Sequence, residues 1–154
     1  MKKFFAYITV LLVLMIYHSA QAEVAVGAVL GDPTGLSART AIDGQHSVDG
    51  ALAYNSGTYS GLHLHLTYLR DRARTFATTE GPIELYYGLG LRLISVDKGK
   101  YDGDTALGPR APLGLVYHFK NPNVEVFGEI ALALDVVPRT DVDLDVGVGV
   151  RLRF

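Results

Sequence analysis

Three histidines and a late group of carboxylates are the residues of this chain whose types and spacing suggest chemistry. His63-Leu64-His65 sets two imidazoles two residues apart, and His118 follows much later. A zinc site built on them needs a third ligand at about 2 Å and an orienting partner behind it. A hydrolase needs a hydroxyl and a carboxylate beside one imidazole, and Ser37 and Ser47 have no evident base. Asp135, Asp141 and Asp143 form an acidic group suited to a cation, whereas the acidic segment 97–104 misses calcium-loop spacing. The glycines of Gly88-Leu89-Gly90-Leu91-Arg92 follow a strand period and precede no helix, so they are not a phosphate loop. No cofactor, metal site or catalytic residue is expected.

What these residues can do depends on the elements that hold them. From Asp141 to Phe154 every even position is apolar and every odd one is charged or glycine. Fourteen residues of unbroken period 2 describe a strand with two unlike faces. The same pattern recurs over 23–31, 35–42, 46–55, 61–70, 83–95, 110–120 and 123–136, which makes eight strands. The breaks are a Gly-Asp-Pro-Thr-Gly turn, Asp43-Gly44, a 56–60 loop, a long break over 71–82, a polar loop over 96–109, Asn121-Pro122 and 137–140. A helical period is weak everywhere and strongest over 71–79.

The first 22 residues read as a secretory signal peptide: two lysines, an apolar run over 4–17, then Ala20-Gln21-Ala22. The run is shorter than the roughly 20 apolar residues a spanning helix needs. Residues 23–154 suffice for one domain. The chain is mildly acidic, with 14 Lys+Arg against 16 Asp+Glu, and loss of Lys2 and Lys3 would make it more so. That balance argues against nucleic acid as a partner. With no cysteine, neither a disulfide scaffold nor a thiolate metal site can form.

The polar face decides which kind of barrel this is. It gathers Arg39, Asp49, His63, His65, Glu84, Arg92, His118, Lys120, Glu125, Glu129, Asp135, Asp145 and Arg151, with many of the 17 glycines. Glycine and alanine add neither solubility nor strand propensity to a water-facing surface. In the narrow lumen of an eight-stranded barrel, small residues must alternate with large ones. The sequence therefore points to an all-β, eight-stranded antiparallel up-and-down transmembrane β-barrel with apolar residues toward lipid. Both termini are placed on the periplasmic side.

On that threading Arg92, Arg110, Asp135, Asp141 and Asp143 gather near the outer mouth. Glu129 lies on the same inward face, and Lys120, Glu125, Arg151 and Arg153 gather near the periplasmic end. Opposite charges are expected as cross-strand neighbours in an ion-paired plug. Tyr68, Phe119 and Phe154 face lipid where inward strands end, forming a periplasmic aromatic girdle; the outer girdle is Tyr54 alone.

The signal peptide, the eight amphipathic strands and the closing Arg151-Leu152-Arg153-Phe154 resemble the small outer-membrane barrels of the OmpA/OmpX type. In that group a final strand such as Val150, Leu152 and Phe154 provide resembles the signal read by the barrel-assembly machinery. The resemblance implies outer-membrane lipid and that machinery as partners, and an outer-membrane location. It implies architecture and no particular activity. The expected role is structural or at the surface, without an open porin channel. An enzyme acting on outer-membrane lipid and a soluble periplasmic barrel holding an apolar ligand are the alternatives.

Overall fold

The computed structural model describes residues 23–56, 60–79, 81–98, 103–137 and 140–154. The expected signal peptide, 1–22, lies outside the described residues. Eight strands run β1 (Val24–Asp32), β2 (Thr34–Ala41), β3 (His46–Asn55), β4 (Ser60–Thr78), β5 (Gly81–Lys98), β6 (Thr105–Phe119), β7 (Val124–Asp135) and β8 (Asp141–Arg153). Each pairs antiparallel with the next, and β8 closes on β1.

The register fixes the shape of the barrel. Following paired residues round the wall from Ala25 leads through Arg39, Asp49, Thr67, Gly90, Arg110 and Ala133 to Asp143. Ala25 itself pairs on β8 with Arg153, ten residues further on. With strands about 4.8 Å apart and a rise of about 3.3 Å per residue, that stagger sets a tilt of about 40°. Closure gives the strand edges partners, the condition for a wall with no water to bond.

Side chains sort by parity. Leu64, Leu89, Leu132 and Val148 are 51–65% exposed on the outer wall, whereas Arg92 is 0% exposed within. The lumen is filled by large residues set over small ones. Tyr86 pairs with Gly114, where a Cβ would lie 2.2 Å from the tyrosine ring. Phe127 pairs with Gly149, where a Cβ would lie 2.4 Å from the phenylalanine ring. Only glycine leaves room for the aromatic opposite, so the alternation of size is a packing requirement.

Two expectations need correction. The 71–82 break is neither loop nor helix: β4 and β5 continue through it as a hairpin, with a bulge between Arg72 and Phe76. Its residues lack alternation because the hairpin passes the rim. β3 begins at His46, opposite Arg70; the Asp71 N–H still donates to the Gln45 carbonyl at 2.7 Å, and from Arg72 on β4 has no register partner on that side. From Arg72 to the hairpin tip the described side chains of β4 are exposed on both faces, so neither face is selected to be apolar. The polar loop over 96–109 shrinks likewise, as β5 runs to Lys98 and β6 starts at Thr105.

Candidate functional site: a charged lumen

The inward parity of β5 to β8 brings arginines and carboxylates into two connected layers. In the layer nearer the loop end, Arg92 grips Asp135 with two bonds, Nε to Oδ1 at 3.0 Å and Nη2 to Oδ2 at 2.5 Å. The same guanidinium donates to Asp145 at 2.7 Å and Asp143 at 3.0 Å. Arg110 continues the chain, donating to Asp145 at 3.1 Å and Glu129 at 2.5 Å. These are fork geometries that arginine can supply and lysine cannot.

Nearer the chain termini, Arg151 donates to Glu125 at 2.8 Å and to Ser37 Oγ at 3.0 and 2.7 Å, with Asp49 at 3.5 Å. Its guanidinium carbon lies 3.8 Å from the centre of the Phe127 ring. Arg39 sits over Tyr86, bonds Ser47 at 3.1 Å and pairs with Asp71. Each arginine thus has carboxylates for its charge, and two of them also stack on an aromatic ring that glycine makes possible. Below this layer His118 stands between Glu84 at 3.3 Å and Glu125 at 3.6 Å. A polar cavity of about 240 Å³ opens there, lined by Arg39, Ser47, Asp71, Glu84, His118 and Glu125 among others.

Several expected residues fall elsewhere. Lys120 is exposed in the turn after β6, one residue past the strand, and makes none of the described ion pairs. Asp141 opens β8 at the mouth, where its carboxylate accepts from the Val142 N–H rather than from an arginine. Arg153 lies at the rim and pairs with Glu23. Glu125 and Arg151 are direct cross-strand partners. Arg92, however, has Gly108 opposite on β6 and reaches past it to β7 and β8. Its ion pairs therefore span the lumen rather than joining neighbours.

Asp71, Ser37 and Ser47 are contributors that strand reading missed. Asp71 was hidden by the apparent break, and the serines carry no charge to mark them. Tyr68 and Phe119 are exposed on the outer wall, and Phe154, just past β8, is exposed too. The exposed Val150 and Leu152 face outward on β8, opposite Ala28 and Val26, and Phe154 exchanges backbone bonds with Val24. At the loop end Tyr54 bonds Asp97 at 2.8 Å.

His63 and His65 form no open site. His63 and His65 bond each other at 3.0 Å, with rings edge to face, deep in the lumen. Among the described residues no group of three or more His, Asp and Glu is arranged to hold a metal ion. The mid-lumen cavity beside Asp49, His65, Arg110 and Glu129 holds only about 20 Å³, room for about one water.

Comparison with solved structures places this architecture. The N-terminal β-barrel domain of Pseudomonas aeruginosa OprF superposes with a TM-score of 0.60 at 14% identity, covering 86% of this chain and 96% of that one. The two share one fold. No protein-family model matches the sequence, and no curated protein matches it. The likeness to the OprF barrel is thus one of strand number, closure and size, since few of the residues coincide.

Proposed function

We propose that this protein is an integral barrel of the bacterial outer membrane, closed by its own side chains, whose role is structural or at the cell surface. One observation carries the reading: the wall is inside out. Its outer surface is an apolar band of Leu, Val and Ile, and its fully buried residues include Arg92, Arg151, Asp135 and His63. A water-soluble protein gains nothing from burying charge while exposing such a band. A bilayer rewards both.

The termini belong on the periplasmic side, after export with removal of 1–22. The aromatic positions Tyr68, Tyr87, Phe119 and Phe154 gather at that end, as a headgroup-level girdle requires. Membrane lipid and the assembly machinery are the partners. Conduction is disfavoured by the ion-paired layers. Catalysis is disfavoured because the hydroxyls of Ser37 and Ser47 accept from Arg151 and Arg39, and neither bonds an imidazole among the described hydrogen bonds. Cell fractionation with heat-dependent migration on an unboiled gel tests the proposal. Recovery in the outer membrane with a heat-sensitive fast band supports it. A chain that is folded and monodisperse without detergent overturns it.

A further inference from the structure

The arginines of the described side chains divide sharply. Arg39, Arg92, Arg110, Arg151 and Arg153 each hold a carboxylate. Arg70 and Arg72, on the outward parity of β4, are exposed and enter none of the described ion pairs. The carboxylate between them, Asp71, turns inward to Arg39. Both arginines stand where β4 leaves the barrel: Tyr68 precedes them on the same face and the exposed Phe76 follows. Across β5 their register partners are Tyr87 and Leu85. On the other side Arg70 faces His46, whose ring stacks on Tyr68 at 5.6 Å, and Arg72 faces no strand.

We infer that Arg70 and Arg72 form a docking surface for the phosphodiester of an anionic phospholipid in the leaflet around the terminal end. The aromatic residues beside them mark headgroup depth. Their alkyl stems can lie along the apolar wall with the guanidinium raised to the phosphates. Two residues on one strand face stand roughly 7 Å apart, so the pair presents two forks along one line. The overhanging hairpin supplies this surface, because β4 outruns β3 and leaves Arg72 open on one side. The inference rests on the membrane reading above and adds lipid selectivity to it.

Native mass spectrometry of the detergent-purified protein tests it, with phosphatidylglycerol and phosphatidylcholine as competing probes. The wild type should retain the anionic lipid in preference. Arg70→Gln and Arg72→Gln should each lower its affinity by roughly five-fold, and the double variant should retain both lipids equally. Arg→Lys at both sites should keep part of the preference, since charge remains and the fork is lost. The heat-sensitive gel band checks that each variant is folded, and the single variants serve if the double one is not. Equal retention by the wild type, an unchanged preference in the folded variants, or displacement of the lipid by inorganic phosphate alone overturns the inference. Failure of the membrane reading is distinguishable, because a chain monodisperse without detergent shows it before any lipid is added.

Discussion

Arg92 and Asp135 are joined across the lumen by two roughly parallel N–H···O bonds, with both side chains fully buried. Asp143 and Asp145 share the same guanidinium, and Asp145 also accepts from Arg110, so Arg92 is the cation that joins three carboxylates and the described arginine partner of Asp135 and Asp143. Arg92→Met removes it and leaves Asp135 and Asp143 without their arginine, beside Asp145 that only Arg110 still holds. Breaking a buried pair from one side costs about 3–5 kcal/mol, because a charge is left without compensation. Urea unfolding in lipid vesicles should show that loss, and Asp135→Leu in the same chain should restore part of it. A loss below about 1 kcal/mol would mean that water already solvates this layer.

Glu125 and Arg151 are the pair in which cross-strand register and side-chain contact coincide. Glu125→Ala and Arg151→Ala should therefore be less costly together than the sum of the two. A coupling of roughly 0.5–3 kcal/mol is expected from a double-mutant cycle of the same unfolding measurement. Strict additivity would show that the two side chains do not meet.

Gly149 and Gly128 separate the demands of the lumen from those of the wall. A Cβ on Gly149 meets the Phe127 ring at 2.4 Å and the Ala28 carbonyl oxygen at 2.5 Å, whereas one on Gly128 meets only a Val148 methyl at 3.8 Å. Gly149→Val should cost about 1–3 kcal/mol through overpacking. Gly128→Ala should leave stability unchanged or raise it by less than about 1 kcal/mol. Equal effects at the two sites would refute the role assigned to the lumen glycines.

The turn between β2 and β3 carries a pH dependence with a definite sign. The Gln45 N–H bonds the Asp43 carboxylate at 2.7 Å, and the His46 ring and N–H approach it at 3.0 and 2.8 Å. These contacts hold its pKa below the ordinary 3.8, the Gln45 N–H acting most strongly. A lowered carboxylate contributes stability above its unfolded value and loses it as pH falls through the folded one. The turn should thus stay closed at neutral pH and loosen only below about pH 4. An NMR titration of Asp43 should place its midpoint under the ordinary value; a midpoint at or above that value would contradict the turn geometry.

Parity was legible in the sequence; reach was not. Period 2 placed Leu132 outside and Glu129 inside, because a strand alternates whatever its neighbours do. Lys120 and Asp141 had the correct parity, yet Lys120 lies one residue past its strand and Asp141 at the mouth. Pattern alone does not show where pairing stops. That Arg92 passes over Gly108 to reach β7 and β8 follows from the ten-residue stagger and the lumen width, which belong to the closed barrel and to no single strand. The 71–82 stretch misled for a related reason: beyond the rim neither face is buried, so a strand continues without its signature.

The inside-out wall is tested most directly along β7. The chain has no native cysteine, so single cysteines at Ile130, Ala131, Leu132, Ala133 and Leu134 can each carry a spin label in lipid vesicles. Oxygen, which partitions into lipid, should relax the labels at 130, 132 and 134 strongly, and a water-soluble nickel chelate should not reach them. Labels at 131 and 133 should be shielded from oxygen. Uniform accessibility along the strand, or even-numbered positions reached by the nickel chelate, would contradict a barrel that turns its apolar wall to lipid and its charges inward.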